Sequence, residues 1–239
     1  MKKDSSLKQK VCGINFSSPI GLSAGFDYEA KLTQVLPSLG FGFQTVGTIT
    51  AFPYDGNTRP MLGRLPKSKS LMVNKGFKNL GADKTIRKLD GLSFKIPVGI
   101  SIGRTNSLAL QTQKQSVDDI IAAFMLFEKS DVPISYFELN ISCPNLMGNI
   151  TFYPKKNLEE LLIETDKLHL KHPVFVKMPI DKSDREILEM LDTISKFSPK
   201  GVIFGNLQKD HKHPTLNQEE VAKFSAGHFS GKPTFDRSN

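Results

Sequence analysis

The sequence predicts an α/β protein built from parallel βαβ units. Short β-rich apolar runs alternate with amphipathic runs of helical length along most of the chain. The chain has 239 residues, 38% hydrophobic and 23% charged, enough for one large α/β domain of ordinary soluble composition. A third observation places a site on this frame. Two carboxamides and a thiol, in Asn140-Ile141-Ser142-Cys143-Pro144-Asn145, directly follow a strand-like run. In parallel α/β folds ligands bind at the C-terminal ends of the strands.

The elements follow in order. Residues 1–10 are expected to form a disordered tail, with the domain spanning 11–239. Residues 19–24 are the first buried strand, and 29–39 a helix stopped by Gly40. Residues 43–47 are the second strand. The stretch 48–81 is too long and too rich in Pro and Gly for a simple connection, so it carries function or small hairpins. Residues 96–100 are the third strand, followed by a helix over 116–129 with Ser116 as N-cap and Asp118 and Asp119 in its first turn. Residues 136–140 are the fourth strand. A helix over 157–170 has Asn157 as N-cap and Glu160 three residues on, close to a capping box. Residues 173–177 are the fifth strand, 183–197 a helix and 201–205 the sixth strand. Beyond Asn206 the chain turns polar, with His211, His213 and His228, and His211-x-His213 reads as loop surface and not as a metal site.

Composition narrows the function classes. No apolar run approaches the ~20 residues of a membrane span, and no apolar stretch behind the N-terminus suggests an export signal. Cys12 and Cys143 lie in no CxxC or Cys/His metal pattern, so a reducing compartment, a free Cys143 thiol and no metal are expected. The net charge of +8 comes from lysines scattered over many segments. It reads as a solvated surface, with attraction for phosphate or an anionic substrate as the alternative, and no nucleic-acid motif accompanies it.

Several motifs occur in one order along the chain. They are Ser23-Ala24-Gly25-Phe26-Asp27, Gly47-Thr48-Ile49-Thr50 followed by Gly56-Asn57 and Arg59-Pro60, Gly76-Phe77-x-Asn79, Gly99-Ile100-Ser101-Ile102-Gly103, the Asn140–Asn145 cluster and Ser230-Gly231-Lys232-Pro233. Over 11–233 the chain resembles the dihydroorotate dehydrogenase family, and its layout is closest to the quinone-linked class. The resemblance implies a (β/α)8 TIM barrel, here incomplete with about six βα units. It implies FMN as cofactor and oxidation of dihydroorotate to orotate in pyrimidine (UMP) biosynthesis. It also implies a cytoplasmic oxidoreductase, with peripheral attachment at the inner membrane and a quinone acceptor as the quinone-linked variant.

By the same resemblance Cys143 is the catalytic base, taking the C5 proton while the C6 hydride passes to flavin N5. Asn140, Asn145, Asn206, Asn74 and Phe77 are the implied substrate contacts. Ala24, Gly25, Thr48, Ser101, Asn140, Lys177, Gly205 and Gly231 are the implied flavin contacts. Lys177 would stand near the N1–O2 edge, where a cation stabilises the reduced anion. Amides suit a pyrimidine because each offers a donor and an acceptor.

The match departs in places. Tyr28 stands where the family has a lysine that helps bind substrate and flavin, and Lys31 is the expected substitute. Ser101 replaces a flavin-contacting asparagine. Asn74 lies one residue out of the Asn-x-x-Gly-Phe pattern, and Gly205 and Leu207 stand where threonines are frequent. The quinone-linked class has serine at Cys143. The family's helical membrane module and its seventh and eighth βα units are not in the sequence, so a C-terminally truncated copy is expected. Two alternative functions remain open: another flavin-dependent pyrimidine oxidoreductase, and a non-catalytic barrel fragment.

Overall fold

A computed structural model describes residues 5–148 and 150–238. After a 3-10 turn at Ser5–Leu7, β1 (Gln9–Val11) and β2 (Ile14–Phe16) pair antiparallel. Pairing starts at Gln9 because Cys12 and Gly13 both take positive φ and close a two-residue turn. Ordered structure therefore begins inside the expected tail, of which residues 1–4 lie outside the described residues.

The barrel strands come next. They are β3 (Gly21–Leu22) and β4 (Phe43–Ile49), then, after the hairpin β5 (Leu62–Leu65) and β6 (Ser70–Val73) and helix α1 (Ala82–Leu89), β7 (Val98–Ile102). Helix α2 (Gln113–Glu128), β8 (Tyr136–Asn140), α3 (Lys155–Asp166), β9 (Val174–Met178), α4 (Asp184–Ile194) and β10 (Gly201–Phe204) follow. The six strands form one parallel sheet in the order β3-β4-β7-β8-β9-β10, the arrangement of an incomplete (β/α) barrel. Strands β7 and β8 are buried along their whole length, as expected where both faces are covered. On β8 the odd and even residues divide the work. Phe137 stacks edge-on against Phe124 of α2, with ring centroids 5.0 Å apart, while Glu138 and Asn140 make the polar contacts described below.

The rest of the chain builds a second, smaller layer. A short helix, α5 (Gln218–Val221), precedes β11 (His228–Gly231), and α6 (Phe235–Ser238) ends the described structure. Strand β11 pairs with β6 to give the antiparallel sheet β5-β6-β11. The hairpin expected within 48–81 is thus present, and the polar segment after Asn206 folds back onto it.

Three local expectations are corrected. No α-helix covers 29–39; only a 3-10 helix at Leu36–Leu39 forms. The Asp27 carboxylate accepts from the backbone N–H groups of Lys31 and Leu32, both at 2.8 Å, Ala30 has φ 51°, and Pro37 offers no donor, so no helical ladder can run through. Helix α2 is capped by Thr112, which forms a capping box with Gln115, and Ser116 lies inside the first turn. Helix α3 starts after Pro154, and Asn157 instead donates to the Thr151 carbonyl at 2.8 Å. Ser183 caps α4 in a box with Glu186.

Candidate active site

A cavity of about 630 Å³ opens at the C-terminal ends of the barrel strands, with the β5-β6-β11 sheet as one wall. It falls within the size range of small-molecule sites. Strand β8 delivers Asn140 at its last residue and Cys143 and Asn145 in the loop beyond, and β9 delivers Lys177. Asn206 follows β10, and Ala24 and Gly25 follow β3.

Strand β4 reaches the site through a register break between Val46 and Ile49. Such irregularities re-aim side chains. Gly47 sits there at φ 123°, where a Cβ would stand 2.7 Å from the Ser101 carbonyl oxygen, so only glycine fits. The next residue, Thr48, thereby faces the cavity.

The polar groups are joined into one buried chain. Asn206 Nδ2 donates to Ser142 Oγ at 2.5 Å, and Ser142 donates to Asn140 Oδ1 at 3.2 Å. Asn140 Nδ2 donates to Thr48 Oγ1 at 2.8 Å, and Thr48 Oγ1 lies 2.9 Å from Ser101 Oγ. Ser101 donates to Glu138 at 2.6 Å, so its proton is committed and Thr48 must be the donor between the two hydroxyls. Glu138 in turn lies 3.7 Å from the Lys177 ammonium, and both side chains are almost fully buried. Five strand ends are thus tied by side chains alone, and each buried polar group has a partner, as burial demands.

The loop after Cys143 is braced as well. Asn57 donates to the Asn145 carbonyl at 3.0 Å, Asn106 accepts from Met147 N–H at 2.6 Å and donates to Asn57 at 3.1 Å, and Asn145 Nδ2 donates to the Val73 carbonyl at 3.1 Å. Burial pushes the Cys143 thiol up to about 11, against the pull of the Asn145 N–H and of Lys177, Lys209 and Arg104.

Most of the residues singled out in the sequence meet here. Cys143, Asn140, Asn145, Asn206, Phe77, Ala24, Gly25, Thr48 and Lys177 all line the cavity. Four do not. Asn74 accepts from Asn57 at 3.0 Å and lines a neighbouring cavity beyond the Asn145 loop. Ser101 is fully buried beneath Thr48. Gly205 and Gly231 flank the wall residues Asn206 and Ser230 without lining the cavity themselves. Lys31, the expected substitute at the Tyr28 position, is exposed and paired with Glu29 outside the cavity. Lys75 was missed. Its ammonium lies 4.1 Å from the centroid of the Tyr28 ring, donates to the Gly25 carbonyl at 3.3 Å, and lines the cavity.

A sequence model described as dihydroorotate dehydrogenase matches residues 6–238. The chain belongs to the dihydroorotate dehydrogenase family. It is 35% identical to a "Dihydroorotate dehydrogenase (quinone)" of Chloroflexus aurantiacus, over 99% of this chain and 66% of that protein. A protein of the same name from Corynebacterium diphtheriae is 32% identical, over 98% of this chain and 63% of the relative. The chain thus spans slightly less than two thirds of these dihydroorotate dehydrogenases. The crystal structure of the DHODH of Eimeria tenella with ferulenol superposes with a TM-score of 0.86 at 24% identity, covering 100% of this chain and 69% of the other. That likeness establishes the barrel fold. Among the described residues no helix is long and apolar enough to cross a membrane, and no cluster of metal-ligating side chains occurs.

Proposed function

We propose that the chain carries the dihydroorotate-oxidising site of an FMN-dependent dihydroorotate dehydrogenase, with Cys143 as the base. The observation that carries this reading is the convergence of Asn140, Cys143, Asn145, Lys177 and Asn206 on one cavity.

The residues fit the ring of a flavin. Gly25 has φ 102°, and no atom lies within 4 Å of the place its Cβ would occupy, so the backbone offers a flat, open face. Thr48, Asn140 and Lys177 present a hydroxyl, an amide and a cation at the strand ends beside it. When bound, FMN supplies the hydride acceptor.

The chain's own groups do the rest. Asn140, Asn145 and Asn206 hold the pyrimidine and its carboxylate through the amide hydrogens and lone pairs that their hydrogen bonds within the protein leave over. The Cys143 thiolate takes the C5 proton, since the thiolate and not the thiol is the base. With the thiol pushed up to about 11, the thiolate fraction rises with pH through the neutral range. The rate of proton removal should therefore climb about tenfold per pH unit between roughly pH 7 and 9. A quinone acceptor accompanies the proposal, on the names of the curated relatives, and cytoplasmic placement with peripheral contact at the inner membrane is proposed with it on the sequence resemblance.

Anaerobic flavin reduction by dihydroorotate tests the reading. Cys143→Ala should slow it by ~10²–10⁴-fold with flavin binding intact; an unchanged rate would remove Cys143 from the base role. Faster reduction by dihydrouracil than by dihydroorotate would favour another pyrimidine oxidoreductase. Protein that takes up no FMN would favour a non-catalytic fragment.

A further inference from the structure

A second cavity, of about 130 Å³, lies on the other side of Cys143. It shares Asn140 and Cys143 with the larger one and is otherwise lined by Arg104, Tyr153, Lys209 and loop residues that include Pro144, Leu146 and Ile150. At ~30 Å³ per water, it holds roughly four waters, or one small ion with fewer.

Arg104 makes this cavity unusual. It is 1% exposed, and its Nη2 donates to the Met147 carbonyl. Its Nε and Nη1 are buried and meet no acceptor among the described residues. No ion pair within 4.0 Å engages it among the described residues. The nearby Asp119 is occupied by Thr105, accepting from its N–H at 2.6 Å and its hydroxyl at 2.8 Å. Lys209 adds a second cation, itself paired with Asp181 at 2.7 Å. A buried guanidinium with two unmet donors is costly, and a negative charge in the cavity removes the cost.

We propose that this cavity seats one small monovalent anion, of the size of chloride, on Arg104, and that the seated anion keeps Cys143 protonated. The charged groups around Cys143 are Arg104 after β7, Lys177 on β9 and Lys209 after β10, with Tyr153 beside the loop. Glu138 faces Lys177, and Asp181 faces Lys209. Among the described residues Arg104 is the one cation of the three with no carboxylate within 4.0 Å, and Asp119 attracts it only from farther off. With the cavity free of anion it is the counter-charge of the thiolate; with an anion seated, that charge is used and a like charge stands beside the sulfur. The anion thereby acts as a brake on the base. This consequence for catalysis rests on the proposed role of Cys143, but the anion site does not.

The test needs no turnover. In the Cys12→Ser protein, whose exposed second thiol is removed, Cys143 alkylation by iodoacetamide is followed against pH in chloride and in gluconate at constant ionic strength. Chloride should slow alkylation at pH 8 saturably, by roughly threefold or more, and raise the pH midpoint. Arg104→Met should slow alkylation at least about tenfold in gluconate and abolish the chloride effect, while Arg104→Lys keeps part of both. Equal rates in chloride and gluconate for the unaltered Arg104 protein would overturn the proposal, whether or not the methionine variant folds. An unaltered profile in Arg104→Met would overturn it too. A chloride effect in a protein that does not oxidise dihydroorotate would leave the anion site standing and sink the proposed function alone.

Discussion

Lys75 places a cation beside the Tyr28 position. The family lysine is absent because Tyr28 occupies its place, yet a cation reaches the same turn from beyond β6, above the Tyr28 ring and on the Gly25 carbonyl. Burial lowers the Lys75 pKa, which marks the ammonium as partly desolvated and so stronger toward an anionic ligand. Lys75→Met should raise the KM for dihydroorotate, or the Kd for flavin, about tenfold, while Lys31→Met leaves both within twofold. Equal effects of the two variants in steady-state assays would remove Lys75 from the site. Glu138 permits a second prediction. It is the carboxylate facing the buried Lys177 ammonium, so Glu138→Leu should destabilise by ~3–5 kcal/mol in urea unfolding. A change under ~1 kcal/mol would mean that the pair is not coupled. The sequence made Cys143 and its asparagines legible because they share one loop. Lys75, Glu138 and Arg104 were not legible, because their importance comes from burial and from partners that are dozens of residues away.

Among the elements, strands were read more closely than helices. Residues 136–140 are β8 as expected, since a buried parallel strand is a short apolar run with sharp ends. Helix starts depend instead on one hydrogen bond. Thr112 was passed over for Ser116, although Gln115 completes its capping box. Thr112→Ala should cost about 1 kcal/mol in thermal or denaturant unfolding, and no loss would remove the cap from α2's stability. The β5-β6-β11 sheet carries a pH prediction. Burial pulls His228 down to about 4 from its ordinary 6.5, so the folded state holds it neutral where the unfolded chain would protonate it. Its penalty is absent above about pH 6.5 and grows as pH falls toward 4. His228→Gln should flatten the acid loss of stability in that window; an identical pH profile would show that His228 does not contribute.

At the scale of the molecule the described residues form two apolar cores. One lies between the barrel strands and helices, and a smaller one of Leu65, Met72, Leu216, Val221 and Phe229 lies under the antiparallel sheet. Phe229→Ala should remove ~3–5 kcal/mol from the smaller core. Hydrogen exchange should then quicken in β5, β6 and β11 and remain slow in β7 and β8; uniform loss would show that the two cores melt as one unit.

The small sheet is also stitched across a long stretch of sequence. The Glu220 carboxylate accepts from the Lys67 and Ser68 N–H groups, both at 2.9 Å, and from the Ser68 hydroxyl at 2.7 Å. This sets an order of assembly on the ribosome. The six described strands of the parallel sheet have been synthesised once Phe204 has emerged, but the cavity wall cannot close until Gly231 follows. With synthesis running from the N-terminus, these six strands can pair while the hairpin still waits for its third strand. The cavity would be open to solvent during that interval, and this wall would join the site after its six strand ends.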